Sequence, residues 1–210
     1  MGVIKRGILG GFSNKVGNIV GSTWKGIAIV KSLPLSVANP RTAGQVLQRS
    51  KFKNLTVLGS LLLSPIIKPL WDRFANQMSG FNAFISANQS AFDIRGEIDP
   101  YGLLMSRGRM IAPADITGSI SGSNWLITLT NPENDRFALP TDRVFIVGLS
   151  GDAKKVAFAS VTSTQRGALP TVQVTTNVSP NVGLSDVAYI YAGYLRSDGS
   201  EVSNSFVYIP

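Results

Sequence analysis

Histidine and cysteine are both absent from this 210-residue chain, and that decides most of what its side chains can do chemically. Without histidine, the commonest general base and the commonest transition-metal ligand are missing. Without cysteine, disulfides and thiolate metal sites are excluded. Nucleophilic catalysis would fall to a serine or threonine, with a lysine or a carboxylate as its base. Ser-x-x-Lys spacing occurs at Ser22/Lys25 and Ser50/Lys53, but the companion Ser-Asp-Asn and Lys-Thr-Gly motifs are absent, and the spacing alone is easily met by chance. Glycoside hydrolysis needs two facing carboxylates. Here Glu97 and Asp99 share one loop, while Glu133, Asp135 and Asp142 surround another. Turn chemistry or solvation accounts for each. Asp93, Glu97 and Asp99 fall short of a calcium loop, because position 95 is Arg where Asp or Asn is required. A glycine-rich stretch with lysines invites a phosphate cradle, yet neither G-x-x-x-x-G-K-[ST] nor G-x-G-x-x-G occurs. The reading is a non-enzyme with no catalytic, cofactor-binding or metal-ligating residue.

Charge distribution points to contacts instead. Residues 1–95 carry 12 Lys/Arg and 2 acids, a balance of +10; residues 96–210 carry 8 and 10, a balance of −2. No acid precedes Asp72. A basic half of this kind fits nucleic acid, an anionic surface or an acidic partner, or else a solubilising surface that touches nothing. Total charged content is 15%, below the ~25% usual in globular proteins. No h-region follows Lys5-Arg6, position 6 is not the Ser or Thr of a myristoylation signal, and the apolar run Leu55–Leu70 is too interrupted to span a bilayer.

The elements that must position these residues read as follows. Residues 1–41 form a basic, Gly-rich arm of two or three short strands, with Val16–Thr23 and Ile27–Lys31 rich in β-branched residues. Pro34 and Pro40 make 33–41 extended. A helical segment spans 42–95. Thr42 and Gln45 make a capping box. Val46, Leu47, Leu55, Leu58 and Leu62 fall on one broad arc, with Arg49 and Lys53 opposite. Ser64-Pro65 reads as a second helix start, with Pro69 either kinking it or moving the start to Lys68. Trp71, Phe74, Met78, Phe81 and Ile85 make a helical core stripe, which Gly80 divides. Residues 96–113 read as a linker. From Ile116 the period becomes 2, and further β-runs at Arg143–Leu149, Lys155–Ser163, Thr171–Val178, Val187–Arg196 and Val202–Ile209 are separated by turn signals. Asp198-Gly199 is the clearest hairpin signal. The fold class is α+β: short N-terminal strands and a helical segment, then an antiparallel β-sandwich of immunoglobulin-like architecture over 114–210.

The pattern G-F-S-x-K-V-G-N-x-V-G-S-x-W-K-G at Gly11–Gly26, with T-x-x-Q-x-x-x-R-x-K-F at Thr42–Phe52, resembles an uncharacterised family of proteins of about this length. The likeness continues at Phe81–Asn88, Leu103–Gly108 and Ser197–Ser205, so it spans nearly the whole chain. The resemblance implies Bacteroidetes bacteria and their bacteriophages as the setting, and supplies no activity.

Together these readings lead to a structural protein of a bacteriophage virion, in the capsid, portal, tail or spike, that assembles with copies of itself or other virion proteins through its N-terminal part. The assembly residues are Phe12, Lys15, Val16, Trp24, Lys25 and Lys31. Trp24 is either a core plug or an interface anchor. Arg49, Lys51 and Lys53 either grip phosphates or form a solvated helix face. The alternatives are a nucleic-acid-contacting protein, binding by charge alone, and a bacterial surface or adhesion module. The virion location has the cytoplasm and the cell surface as its corresponding alternatives.

Overall fold

The computed structural model describes residues 2–3, 13–24, 27–36, 38–93, 97–132, 137–167 and 170–210. The chain divides into two compact units, Met1–Thr42 and Ala43–Pro210. The class is α+β.

Unit 1 is a four-stranded antiparallel sheet built from β1 (Gly2–Val3), β2 (Asn14–Val16), β3 (Ile19–Trp24) and β4 (Ile27–Ser32), in the order β1-β4-β3-β2. Val16 pairs with Ile19, leaving a two-residue turn, Gly17-Asn18. Gly17 takes φ +59° at the first turn position, where a hairpin turn that follows the strand twist wants glycine. The Gly-punctuated sequence is thus a meander. Residues 33–36 and 38–42 are irregular and exposed, and Leu35 is 96% exposed, as the prolines foretold.

Unit 2 opens with α1 (Ala43–Leu62), continues through a π-helical turn (Leu63–Ile67) into α2 (Lys68–Trp71), and adds α3 (Gly80–Ala87). The helix therefore runs on through Ser64-Pro65 rather than restarting there. Pro65 has no N–H to give the preceding turn and its ring crowds that turn's carbonyl. Widening to the π register relieves both, and the Lys68 N–H bonds to the Leu63 carbonyl. Arg-free and apolar, the second half of this helix sinks into the core through Leu62, Ile66, Ile67, Leu70 and Trp71. By length and composition alone, Ala43–Trp71 is long and apolar enough to cross a membrane.

The anticipated stripe from Trp71 to Ile85 is broken. The helix ends at Trp71, Phe74 and Met78 are exposed, and Phe84 rather than Phe81 is fully buried. Ser79 restarts the helix as its N-cap, its Oγ accepting from the Asn82 N–H. Asp72 accepts from the Gly80 N–H at 2.9 Å. Capping chemistry, not hydrophobic period, sets this boundary.

Seven strands follow: β5 (Asp115–Ser121), β6 (Asn124–Thr130), β7 (Arg143–Ser150), β8 (Val156–Gln165), β9 (Thr171–Asn177), β10 (Val187–Leu195) and β11 (Phe206–Tyr208). They sort into two antiparallel sheets, β5-β6-β9 and β11-β10-β7-β8. An immunoglobulin constant-type domain sorts seven strands A–G as ABED and CFG. In the same lettering these sort as ABE and GFCD, the fourth strand having crossed sheets. The arrangement therefore differs from the constant-type order, and a helical layer is added to it.

Side-chain parity shows three layers. Val144 and Ile146 on β7, with Ile190, Ala192 and Tyr194 on β10, join Trp125, Ile127 and Leu129 of the smaller sheet. Phe145, Val147 and Leu149, with Tyr191 and Leu195, join Leu55, Leu58, Leu62 and Ile66 of the helices. The larger sheet is covered on both faces, so β7 reads as a continuous apolar run, while β6, covered on one face, alternates. Gly148 and Gly193 sit under the rings of Phe158 and Phe145, where a Cβ would come within 2.5 and 2.6 Å of ring carbons.

Residues 97–113 are not a spacer between units. Leu103, Met105 and Met110 are buried, and the segment is stitched to both helix and sheet. Trp71 Nε1 donates to the Met105 carbonyl at 2.8 Å. Met110 bridges Ser203 in parallel, and Gly108 lies so close to the Val202 carbonyl that no side chain fits.

Candidate functional site

The N-terminal assembly residues can be placed in part. Phe12 and Lys25 lie outside the described residues. Trp24 closes β3 opposite Ile27, and only its backbone is described. Lys15 faces Val20 across β2–β3, and Val20 faces Lys31 across β3–β4. Both lysines therefore flank Val20 in one register row, on one face of the sheet. Val16 pairs with Ile19 on the other face, and both are exposed. The meander thus brings Lys15 and Lys31 together and sets Val16 apart from them.

Arg49, Lys51 and Lys53 all lie on α1, but not on one face. At about 100° per residue, Arg49 and Lys53 are neighbours, while Lys51 is about 160° from either. The first turns of α1 also differ from the broad arc expected of them. Ala43–Ser50 are exposed throughout, and Val46 and Leu47 lie outside the core that Leu55, Leu58 and Leu62 enter. Val46 is nine residues before Leu55, about 180° round the helix, so one buried face cannot hold both.

Of the residues weighed for catalysis, Lys25, Glu133 and Asp135 lie outside the described residues. Ser50 and Lys53 are exposed neighbours on α1. Asp99 accepts from the Tyr101 N–H at 3.1 Å, and Asp93 from the Glu97 N–H at 2.7 Å, both as turn-formers. Asp152 is held below the usual carboxylate range, first by the Ser150 hydroxyl and then by the Lys154 N–H. Asp198 is lowered in the same way by Ser200, within the Asp198-Gly199 turn that brings Val202 back opposite Leu195. Burial pushes the Tyr191 hydroxyl up, and it donates to the Pro100 carbonyl at 2.9 Å. No cluster of three or more potential metal-ligating acids exists among the described residues.

Two polar assemblies escaped the sequence reading. The first joins three of the motif segments. Asn88, fully buried, donates to the Phe84 and Leu104 carbonyls and accepts from the Leu104 N–H at 2.7 Å. Ser106 Oγ donates to the Ser203 carbonyl at 2.8 Å, Ser205 Oγ accepts from the Met105 N–H at 3.0 Å, and Ser203 Oγ accepts from the Tyr194 N–H at 2.8 Å. These small polar residues serve as struts for irregular backbone, which buried amides require. The second assembly is a corner around Asp142, which is wholly buried, accepts from the Leu139 N–H at 2.7 Å and lies 3.7 Å from Arg196 Nε. Beside it the Arg166 guanidinium lies 4.4 Å from the centre of the Tyr194 ring, whose hydroxyl donates to Asn131 Oδ1 at 2.7 Å. Arg196 also donates to the Phe137 carbonyl. The corner ties strand ends to loops. Long-range partners of this kind leave no local pattern by which the sequence could have revealed them.

Two of the open clefts among the described residues border α1. One, of about 460 Å³, is lined by Asn54, Glu97, Ile98, Gly151, Asp152, Lys154 and Tyr189. The other, of about 280 Å³, is lined by Leu61, Lys154, Lys155, Val156, Ser179, Asn181 and Val182. Lys154 borders both.

The described residues form an α+β protein, with exposed residues on the N-terminal sheet and at the start of α1. Residues 11–210 match DUF6266, a family of unknown function, and the chain belongs to it. No curated protein and no solved structure matches the chain.

Proposed function

We propose that this chain is a non-enzymatic structural subunit, of the kind that builds a bacteriophage virion, and that it joins its neighbours through unit 1. The observation that carries this reading is the state of the N-terminal sheet. Among the residues of unit 1 whose exposure is described, only Gly21 is buried. Among the described residues neither face of the sheet is fully covered, and a sheet so placed gains too little from burial to offset the ordering of its backbone. Its Lys15–Val20–Lys31 row and its exposed Val16–Ile19 pair offer a neighbour both charge and apolar area. The irregular, exposed residues 33–36 and 38–42 suit an arm that reaches a second subunit. Unit 2, in contrast, has its buried polar groups engaged in holding its own loops.

Light scattering on the full chain and on a chain lacking residues 1–41 tests this. Loss of the larger assembly, with unit 2 still folded, is the expected result. An unchanged number of subunits in the shortened chain would overturn it. A second reading rests on Lys15 and Lys31, which flank Val20 on one face of the sheet: contact with nucleic acid by charge alone. That contact must weaken steeply with salt and ignore sequence; absence of binding at low salt removes it.

A further inference from the structure

The hoop of chain between α2 and α3 carries large apolar side chains that the core does not take. Phe74 and Met78 are exposed there. Gln77 beside them has φ +57°, a left-handed conformation that a residue with a Cβ adopts at a cost. Residues 76–79 are all exposed, so burial does not offset it. The hoop is nonetheless pinned. The Gly80 N–H donates to Asp72, and a Cβ on Gly80 would come within 2.6 Å of the Asp72 backbone nitrogen. Arg73 Nη1 donates to the Asp198 carbonyl at 2.6 Å, which ties the hoop to the connection between β10 and β11. Beside the hoop lies an open cleft of about 520 Å³. Trp71, Phe74 and Met78 line it from the end of α2 and the hoop, Ala83, Ser86 and Ala87 from α3, and Arg107 from the segment that follows. The three α3 residues fall on one arc, away from Phe84 and Ile85, which enter the core. Small side chains on that arc leave the space open.

We propose that this cleft binds a small carboxylic acid with an aromatic or branched aliphatic body. Its volume lies within the ~300–1,000 Å³ of small-molecule sites, and its lining has their composition, apolar walls with few polar groups. The walls are preset. Trp71 stands edge-on to Phe84, with ring centroids 5.7 Å apart. Its Nε1–H is already given to the Met105 carbonyl, so it offers a ligand ring surface and no hydrogen bond. The polar lining consists of the Ser86 hydroxyl and the Arg107 guanidinium. Arg107 is exposed, and among the described residues it makes no ion pair or side-chain hydrogen bond. Charge then selects the ligand. Two rings and a methionine would suit a cation, but Arg107 repels one, and among the described residues no carboxylate lines the cleft. A planar guanidinium matches a carboxylate through two parallel N–H···O bonds. One guanidinium balances one negative charge, so a doubly charged phosphate would keep a charge unmatched beside apolar walls. The apolar body of the acid rests against Trp71, Phe74 and Met78 while its carboxylate meets Arg107.

The cleft lies wholly within unit 2, so this proposal and assembly through unit 1 fail separately. Titration of the full chain with 3-phenylpropionate and with 4-methylpentanoate, up to roughly 10 mM for such small ligands, tests it. Binding is read from the methyl resonances of carbon-13-labelled methionine. Met78 lines the cleft, while Met110 is buried in the layer between the two sheets and serves as the reference. The Met78 signal should shift saturably and the Met110 signal should not. The amide 3-phenylpropionamide has the body without the charge and should bind at least about tenfold more weakly than its acid. Acetate has the charge without the body and should leave Met78 unmoved. Arg107→Gln, at an exposed site, should bring the acid down to the level of the amide with the melting of unit 2 unchanged. Phe74→Ala should weaken the acid as well. Failure of both acids to shift Met78 overturns the proposal. So does an amide that binds as well as its acid, saturation by acetate, or an Arg107→Gln chain that binds the acids as the parent does.

Discussion

Two four-stranded antiparallel sheets occupy this chain, and they are opposite in physical character. The sheet β11-β10-β7-β8 is covered on one face by helices and on the other by a second sheet. The sheet β1-β4-β3-β2 has one buried residue among those whose exposure is described, and that residue is a glycine. Backbone pairing is common to both. What separates them is side-chain burial, worth about 1.5–3 kcal/mol for each large apolar residue. Hydrogen-bonded strands are thus a scaffold on which stability is placed, and in unit 1 it must come from elsewhere.

Substitutions can break or sharpen that contrast. Ile146→Asp puts an unpaired charge into the layer between the two sheets of unit 2 and should abolish its cooperative melting, measured by circular dichroism. Phe145→Ala empties the layer between sheet and helices and should cost about 3–5 kcal/mol in denaturant titration. Ser203→Ala leaves the buried Tyr194 N–H without its acceptor and should cost about 1–3 kcal/mol. Val20→Ala, in the middle of the N-terminal sheet, should move the melting of unit 2 by under about 0.5 kcal/mol; a loss comparable to Phe145→Ala would erase the contrast. The smallest effect is at Asp152. Its folded-state carboxyl is lowered, so its contribution is present above the ordinary carboxylate range and is lost as pH falls through the lowered value. Asp152→Asn should therefore melt slightly earlier than the parent at neutral pH, and the gap should close in acid.

How legible this was depended on whether the determinants were local. The helix start after Thr42, Asp198-Gly199, and the alternation of Trp125, Ile127 and Leu129 all act within a few residues, and each reads correctly; the run Val16–Thr23 did not, because the hairpin turn at Gly17-Asn18 interrupts it. The helix through Ser64-Pro65 did not, because the π turn that accommodates proline has no signature of its own. Residues 97–113 looked like a linker because their order comes from Asn88, Ser203 and Ser205, far away in sequence. The N-terminal residues were only partly recoverable: strand register unites Lys15 with Lys31, but helix geometry separates Lys51 from Arg49 and Lys53, which composition alone had grouped.

The parallel bridge between Met110 and Ser203 bears on how the chain folds during its synthesis. The helices emerge from the ribosome before the strands of unit 2, yet the loop that locks Trp71 and Asn88 in place is itself fastened to residues 202–205. Roughly a hundred residues must follow that loop before its fasteners exist, and contacts so distant in sequence form slowly. Until then the apolar side of the long helix has no sheet to rest on. The nascent chain therefore passes through a period in which its most hydrophobic helix is complete but uncovered, and its hold on solubility in that interval falls to the basic residues at the start of the chain.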